Sequence, residues 1–572
     1  YFKFIEALLT TEDYDMLHLA TDKFAANWYR IKGVDQTVFH GISFGDLVQV
    51  MFSRTYKVSL VIKYAEVVRK AIGECDKIKT IYFDFKDLKD EFDDAFTMAD
   101  LISKIAQQFG ATSVSLPVKQ KIPEAIFTSR KSYDPQKFYL KVAIKESLKQ
   151  VVKFSINLFS CIRNRFRFKL AKKNIYFFNY PNLNALLECD EQHFVVPDLT
   201  EYIFKSRVLF SGLTFLDFEH VKYQFNQEEI NFLNGLKQRF EGIDEGREFG
   251  CDFIINGIDY SNLYCPIVKD MVMNIIPILL KYLGQVRSAI KTANINAVIM
   301  RDSLDEKSQV VLEACKLEDV KTIFVDHGIM GHLPAQKAAE FRMPDELITA
   351  GTFSPYRGMK AVALGNPCMD LYPRDKRKRV SSIKKILFLS FEDNFYARLD
   401  RLAYQEKYCN EIFSSFNELV SAGIEVFYRP HLANQNYHDY LLNFFDVKPT
   451  TFKYAYEGAF SQRIWEMDLL VTNISSCFFE AQAAGVPTIF MEPNFKKGSV
   501  LAPFNGTHGQ EVLRVTNKTE LLDLVLSNQH DPAYLNEFLD QYLSKYAPVY
   551  MGNLDGLASK RIIDHICPKD GL

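Results

Sequence analysis

Two adjacent serines and a nearby carboxylate form a group of residues that could bind an anion. Asn473, Ser475 and Ser476 follow the apolar run MDLLVT, and Glu480 comes shortly after them. If the run is a strand and a helix begins at the serines, free backbone N–H groups and the helix dipole favour a phosphate there. Glu480 could accept hydrogen bonds from a ribose or another sugar hydroxyl. The alternative is that Ser475 only caps a helix and Glu480 is a surface carboxylate.

A cation and an imidazole follow a second strand-like run, in VFYRPHLANQN at residues 426–436. The guanidinium group of Arg429 and the titratable imidazole of His431 could both bind a phosphate or diphosphate leaving group. An isolated loop histidine is more often structural than catalytic. This one lies one strand–helix unit before Ser475, so we predict that both segments contribute to one anion site.

A third loop, in IFVDHGIMGHL at residues 323–333, could carry acid–base chemistry. Asp326 and His327 end a strand-like run, and an aspartate beside a histidine can orient its ring or act as a base towards a hydroxyl group. The alternative is a glycine-containing turn with a buried histidine.

The segment VIMRDSLDEKSQ repeats that layout one unit earlier in the chain. Arg301, Asp302 and Asp305 follow the strand-like run NAVIM. Asp302 is therefore a reserve candidate for the base, although these carboxylates could equally be helix caps.

All these residues follow strand-like runs that alternate with helical ones, a pattern typical of α/β layers around parallel sheets. The pattern predicts a helix through Ser288, the strands NAVIM and KTIFVD with a helix from Asp305 to Cys315 between them, and then ELITAG and AVALG. It restarts with KILFLS, a helix over 401–421, IEVFYRP, MDLLVTN, a helix from Ser475 and PTIFME. Because open parallel sheets bind ligands beyond the carboxyl ends of their strands, the functional groups should meet in a cleft.

A charged run separates the two halves of this pattern. The segment YPRDKRKRVSSIKK concentrates charge that a core cannot hold. We predict an N-terminal α/β domain with insertions over residues 1–372, a linker over 373–385 and a C-terminal Rossmann-like domain over 386–572.

Composition restricts the remaining possibilities. The formal net charge of −2 over 572 residues does not suggest a nucleic-acid partner. Ten cysteines without a CxxC pair favour reduced thiols in a cytosolic protein over disulfides or a zinc site.

The most apolar stretch, MVMNIIPILLKYL, is short for a membrane span and is predicted to be a buried helix. No signal peptide is expected, because the first residues have no basic segment.

One basic segment could contact a membrane. Residues 161–173, CIRNRFRFKLAKK, interleave cationic and aromatic side chains in a way that suits anionic lipid. The alternative is a solvated helix end whose phenylalanines enter the core.

The order of four motifs resembles the GT-B glycosyltransferases, which have two Rossmann-like domains facing a central cleft. The motifs are DHG at 326–328, GNPCMD at 365–370, RPH at 429–431 and SSCFFEAQAAGVPTI from residue 475. The chain looks most like bacterial surface-polysaccharide enzymes: capsule Kdo transferases, polysialyltransferases and CDP-glycerol-type teichoic-acid polymerases. The resemblance assigns His431, Ser475 and Ser476 to donor phosphate and His327 to catalysis. In this chain the proline precedes His431, whereas the family has a His-Pro order.

The resemblance implies a transferase that uses a nucleotide-sugar donor and a glycan or glycolipid acceptor. The expected donor is CMP-linked Kdo or another nonulosonate, and no separate cofactor is expected. No Asp-x-Asp motif follows a strand, so we expect a metal-independent reaction in which the helix dipole and cationic side chains stabilise the leaving nucleotide. The alternatives are a CDP-alditol phosphotransferase and an epimerase-like or non-catalytic GT-B scaffold. The expected location is the cytoplasm, with peripheral contact at the inner face of the membrane.

Overall fold

The fold is known from a computed structural model that describes most of the second half of the chain and shorter parts of the first half. The described residues are 28–31, 33–49, 80–83, 110–115, 174–178, 194–196, 214–240, 254–255, 258–259, 268–300, 305–325, 343–352, 360–372, 374–389, 401–430, 451–455, 459–473, 475, 477–493 and 512–566, with single positions at 13, 16, 17, 66, 70, 103, 106, 107 and 265. The basic segment 161–173 lies outside them.

Seven parallel strands form the first sheet. They are β1 (Asn174–Phe178), β2 (Phe194–Val196), β3 (Thr214–Phe215), β4 (Ile295–Met300), β5 (Lys321–Val325), β6 (Glu346–Thr349) and β7 (Ala361–Ala363). Their spatial order is β7-β6-β5-β4-β1-β2-β3, and every pairing is parallel. The chain therefore winds outwards on one side of β1 and then on the other, which creates a topological switch point between β1 and β4.

Six parallel strands form the second sheet with the same winding. They are β8 (Lys385–Leu389), β9 (Glu425–Arg429), β10 (Lys453–Tyr454), β11 (Leu469–Thr472), β12 (Thr488–Met491) and β13 (Leu513–Val515). Their order is β10-β9-β8-β11-β12-β13, so the switch point lies between β8 and β11. Counted from its own first strand, this sheet has the order 3-2-1-4-5-6 of dinucleotide-binding folds. The predicted α/β fold class with two Rossmann-like units, as in GT-B proteins, is confirmed.

Helices flank both sheets. Those of the described residues are α1 (Phe44–Gln49), α2 (Gln227–Phe240), α3 (Ile276–Thr292), α4 (Glu306–Leu317), α5 (Arg401–Ser421), α6 (Phe460–Arg463), α7 (Cys477–Ala484), α8 (Lys518–Ser527), α9 (Ala533–Lys545), α10 (Ala547–Tyr550) and α11 (Ala558–Ile566). A π-helical turn, Met271–Ile275, precedes α3, and 3₁₀ turns span Phe218–His220, Pro367–Leu371, Arg374–Lys376 and Ile464–Glu466. Short strand pairs join 30–31 to 34–35, 38–39 to 42–43, 80–83 to 112–115 and 254–255 to 258–259.

Both faces of the first sheet are buried, so its strands alternate between two cores. Val298 and Met300 of β4 lie in the core formed with α3 and α4, whereas Ile299 lies in the core on the opposite face. Successive side chains of a strand point to opposite faces, and a sheet covered on both sides needs apolar residues at every position. This requirement is why NAVIM and KTIFV could be recognised as strands.

The apolar stretch from Met271 forms the π-helical turn and the first part of α3. Its residues Met271, Val272, Leu279 and Leu280 are buried, which confirms the prediction of a buried helix. Within the described parts of the chain, no helix combines the length and apolarity that crossing a membrane requires.

The last helix, α11, packs on the first sheet although it follows the second sheet in the chain. Ile562, Ile563 and Ile566 share a buried cluster with Ile299 and Ile348. Full burial of an isoleucine side chain contributes about 1.5–3 kcal/mol relative to exposure. The returning helix therefore completes the core on the face opposite α3 and α4.

Asp370 fixes the start of the returning helix. Its two carboxylate oxygens accept hydrogen bonds from the backbone N–H groups of Ala558 and Ser559, both at 2.8 Å, and from the Ser559 hydroxyl at 2.6 Å. Gly365 passes so close that an added Cβ would lie 2.7 Å from Cβ of Ala558, and its φ of +101° favours glycine. The GNPCMD motif therefore connects the end of the first sheet to the start of α11.

The charged run between the sheets is tied to the second sheet. Val380 and Ile383 are buried, so the run is not wholly solvated as predicted. Lys378 donates through Nζ to Asp468 and to the carbonyl of Met467, each at 2.7 Å. An added Cβ on Gly485 would lie 2.1 Å from the Lys378 carbonyl oxygen, so the small residues after α7 make room for this backbone. The division into domains at 372 and 386 stays a prediction.

A buried carboxylate links the amino edge of the first sheet to α11. Glu346, at the start of β6, is 1% exposed and forms ion pairs with Lys321 at 2.7 Å, His565 at 3.0 Å and Lys360 at 3.3 Å. Burial raises the pKa of this carboxyl, but hydrogen bonds and charges from Lys321 and His565 outweigh it and lower the pKa to about 2. The folded protein therefore holds Glu346 ionised in moderately acidic solution.

Replacing Asp370 with alanine should destabilise the protein by about 1–2 kcal/mol, because the start of α11 loses its cap. Chemical denaturation followed by circular dichroism measures the change. Asp375→Ala is the matched control, since Asp375 is exposed in the same segment. Equal stability of the two variants would show that the cap does not hold α11.

Acid should remove the stabilising effect of Glu346. Its folded pKa of about 2 lies below the ordinary 4.5, so its contribution is complete above about pH 4.5 and is lost as the pH falls towards 2. We expect the wild type to exceed Glu346→Gln in unfolding free energy by about 1–3 kcal/mol at pH 6, with a smaller gap at pH 3. Urea titrations at several pH values measure the gap, with the exposed Glu537→Gln as control. A gap that does not change with pH would contradict the prediction.

Candidate functional site

Polar residues collect at the carboxyl edge of the second sheet, around its switch point. β9 ends at Arg429. β11 ends at Thr472, which is followed by Asn473 and, after one more residue, by Ser475. β8 lies between β9 and β11 and is parallel to both, so these two strand ends lie at the same edge of the sheet. The helix α7 begins two residues after Ser475. Local sequence produces this layout, because the buried run LLVT forms the strand and the serine begins the helix.

Ser475 caps the helix α7. Its Oγ accepts a hydrogen bond from the backbone N–H of Cys477 at 3.3 Å, and its carbonyl accepts one from Phe478 at 3.2 Å. The capping function predicted as the alternative is therefore present. A hydroxyl that accepts one bond still has a proton to donate, so capping leaves Ser475 able to bind an anion.

Asn473 is the most constrained polar residue of this edge. The residue is fully buried, and neither its side-chain oxygen nor its nitrogen has a hydrogen-bond partner in the described structure. The hydroxyl of the neighbouring Thr472 is in the same situation. An unsatisfied buried polar group costs about 1–3 kcal/mol, and each such group in a native protein needs an explanation, such as a catalytic role or a bound ion or water.

Glu480 is held in place by a tyrosine distant in sequence. The hydroxyl of Tyr372 donates to Oε2 of Glu480 at 2.7 Å, and Tyr372 is completely buried. Burial raises the pKa of Glu480, while the Tyr372 hydrogen bond and the charge of Arg429 act in the opposite direction. Glu480 is therefore a partly buried carboxylate beside a cation, and its interpretation as a surface residue is wrong.

Arg429 brings positive charge to the same place. Its Nη1 donates to the carbonyl of Ala455 at 3.0 Å, which ties the end of β9 to the segment after β10. The charge of Arg429 acts on both Glu480 and Cys477. The predicted group of Arg429, Asn473, Ser475 and Glu480 is therefore assembled at one edge of the sheet.

The thiol of Cys477 is not suited to nucleophilic catalysis. Burial, with a smaller contribution from the Glu480 charge, raises its pKa to about 12. A nucleophilic cysteine needs a lowered pKa, because the thiolate is the reactive form. Cys477 therefore contributes to packing at the start of α7.

A buried ion pair lies beyond the next strand. Glu492 follows β12, is 2% exposed and pairs with Nε of Arg514 on β13. Burial raises the pKa of Glu492, and Arg514 opposes this increase. The sequence alone indicated neither this ion pair nor the contact between Tyr372 and Glu480. Tyr372 and Glu480 lie 108 positions apart, so no local pattern could have joined them.

Five predicted site residues lie outside the described residues: Asp302, Asp326, His327, His431 and Ser476. Three of them, Asp302, Asp326 and His327, come within two residues of the end of a described strand of the first sheet. β4 ends at Met300 and β5 at Val325, and Met300 pairs with Phe324 across the two parallel strands. Both strands therefore end at the same edge.

Asp305 has a structural role. Its Oδ1 accepts a hydrogen bond from the backbone N–H of Ser308 at 2.9 Å, and its Oδ2 accepts one from the Ser308 hydroxyl at 2.5 Å. Asp305 is thus the N-cap of α4, as the capping interpretation predicted. Among the residues that the structure describes, no three His, Cys, Asp or Glu side chains are grouped so that they could hold a metal ion.

Comparisons with known proteins give only distant similarities. No protein-family model matches the sequence, and no curated protein matches it. Among solved structures, S. aureus MnaA with UDP has 13% identity and a TM-score of 0.40, over 69% of this chain and 96% of the other. MurG of Acinetobacter baumannii has 12% identity and a TM-score of 0.38, over 69% and 99%. The wall teichoic acid polymerase TagF has 16% identity and a TM-score of 0.32, over 48% and 72%. Similarities at this level carry no argument about the function of this chain.

Proposed function

We propose that this protein is a glycosyltransferase that moves a sugar from a nucleotide donor to a hydroxyl group of a glycan or glycolipid. The observation that supports this best is the group of Arg429, Asn473, Ser475 and Glu480 at the switch point of the second sheet. It combines a cation, a helix start, a buried amide and a carboxylate at one edge of the sheet. The cation and the helix start suit the anionic phosphate of a nucleotide, and the carboxylate suits the hydroxyl donors of its ribose.

Each side chain has a separate part in donor binding. The phosphate is proposed to lie at the start of α7, where the Ser475 hydroxyl and the N–H groups of the first turn that Ser475 does not engage donate to it. Arg429 adds positive charge. Glu480 accepts hydrogen bonds from the ribose hydroxyls through the oxygen that Tyr372 leaves open.

The proposed reaction is a substitution at the anomeric carbon. A base removes the proton of the acceptor hydroxyl, and the acceptor oxygen forms a bond to the anomeric carbon. The bond from that carbon to the phosphate oxygen breaks, and the nucleotide leaves with the electron pair. Donors that face the departing oxygen stabilise its negative charge. Asp326 or His327 is the proposed base, with Asp302 in reserve.

The finer assignments rest on the resemblance of motifs. The proposed donor is CMP-linked Kdo or another nonulosonate, and bacterial surface polysaccharide is the proposed product. The proposed reaction needs no metal and no separate cofactor, since no Asp-x-Asp follows a strand in the sequence. The proposed location is the cytoplasmic face of the membrane, where residues 161–173 could contact anionic lipid.

A screen of nucleotides tests this function. We expect CMP or CDP to raise the melting temperature more than UDP or GDP does, equally with Mg²⁺ and with EDTA, because a ligand of the native state stabilises it. A strictly metal-dependent shift with UDP alone would contradict both the cytidine donor and metal independence. Transfer of glycerol phosphate from CDP-glycerol would identify the phosphotransferase alternative, and absence of any shift would favour a scaffold.

Substitutions should separate binding from chemistry. Ser475→Ala should weaken CMP binding about tenfold or more, since a charge-assisted hydrogen bond contributes roughly 1.5–3 kcal/mol. Asp326→Ala and His327→Ala should leave affinity nearly unchanged. Loss of the general base should lower turnover about 100-fold, because proton transfer matters only in the transition state. Calorimetry measures affinity, and nucleotide release measures turnover.

The control for Ser475→Ala is Ser414→Ala, which removes an exposed hydroxyl from α5 in the same half of the chain. If Ser475→Ala binds CMP like this control, Ser475 only caps the helix. If Asp326→Ala and His327→Ala both keep normal turnover, their loop is only a turn.

A further inference from the structure

The hydroxyl of Tyr372 is fixed more firmly than an ordinary tyrosine hydroxyl. The side chain is completely buried in the apolar cluster around α7, and its ring lies 5.8 Å from that of Trp465 at 30°. Burial, and then the charge of Glu480, raises the pKa of Tyr372 far above its ordinary value. The hydroxyl therefore keeps its proton at any physiological pH and is a permanent donor.

The backbone on which Tyr372 stands is also held. Tyr372 follows the 3₁₀ turn Pro367–Leu371, and its N–H donates to the carbonyl of Met369 at 3.0 Å. Asn366 caps the turn by accepting from the N–H of Cys368 at 2.9 Å. Asp370 joins the same turn to α11. The position of the hydroxyl is thus set from outside α7, by the 3₁₀ turn and the hydrogen bonds that hold it.

Glu480 has one oxygen engaged and one open. Tyr372 donates to Oε2, and in the described structure Oε1 accepts no hydrogen bond from a protein donor. The side chain of Glu480 can rotate about each of its bonds, but a hydrogen bond from a fixed donor to Oε2 restricts the carboxylate to the orientations that keep this bond. The open oxygen then points in one direction, as an acceptor for a ligand hydroxyl must.

We infer that Tyr372 is a positioning residue of the donor site, which orients Glu480 so that its open oxygen accepts hydrogen bonds from the vicinal diol of a nucleotide ribose. This inference rests on the proposed function. Tyr372 does not touch the ligand, and its effect reaches the ribose only through Glu480. It therefore sets selectivity for ribose over sugars that lack the diol.

The test compares nucleotides with and without the diol. Affinities of CMP, CDP and UDP and of their 2′,3′-dideoxy forms are measured by calorimetry for the wild type and for Tyr372→Phe. We expect the ratio of ribose to dideoxy affinity to fall about 3- to 10-fold in Tyr372→Phe, as for the loss of one hydrogen bond, with dideoxy affinity almost unchanged. The control is Tyr534→Phe, which removes an exposed hydroxyl.

Two further variants keep the inference testable. Glu480→Asp preserves the charge but withdraws the carboxylate from Tyr372, so the ratio should fall there even if Tyr372→Phe does not fold. In the Glu480→Ala background, which has no acceptor for the Tyr372 hydroxyl, adding Tyr372→Phe should change the ratio little, because the two residues act as one unit.

The outcomes are distinct. Equal weakening of ribose and dideoxy nucleotides, or an unchanged ratio, would show that Tyr372 is only structural. If no nucleotide binds the wild type, the proposed function fails and this inference fails with it.

Discussion

The carboxylate of Asp370 accepts three hydrogen bonds at the start of the last helix, and this cap joins the segment between the two sheets to the helix that covers the first sheet. The helix α11 must leave the second half of the chain and lie on the first sheet, which requires its first turn to be held at the crossing point. A carboxylate is suited to this because it satisfies free N–H groups and interacts favourably with the positive end of the helix. Gly365 lets the two segments approach, and the isoleucines of α11 then close the sheet.

The same crossing segment reaches the candidate site. Asp370 holds α11, and Tyr372, two residues later, holds Glu480 on α7. The segment thus contacts α11, which packs on the first sheet, and also Glu480, which lies at the polar edge of the second sheet. Both contacts lie within three residues of backbone. The segment therefore joins the helix that covers the first sheet to the candidate site on the second.

Local patterns were enough to predict much of the fold. The strands β4 to β9, β11 and β12, the helix at 401–421 and the cap at Asp305 follow from apolar periodicity and from side chains that compete for backbone N–H groups, whereas the short strands β2, β3, β10 and β13 were not predicted. Arg429, Asn473, Ser475 and Glu480 could be grouped because each follows a strand or begins a helix at the edge where parallel strands end. The contacts of Tyr372 and Asp370 could not be predicted, because their partners are 108 and 188 positions away in the sequence. The periodicity of apolar residues carries information only about neighbouring positions. The GNPCMD motif contributed to the resemblance, yet its aspartate has a structural role here.

The return of α11 to the first sheet also sets an order of events during synthesis. The strands within residues 174–363 can pair, and α3 and α4 can cover one face, but Ile175, Ile299 and Ile348 gain their contacts with α11 only after residues 558–566 leave the ribosome. At about 5–20 residues per second, that interval is on the order of ten seconds or more. During it, these isoleucines lack the apolar contacts that α11 later supplies. The first half of the protein is thus completed only after the second half has been made.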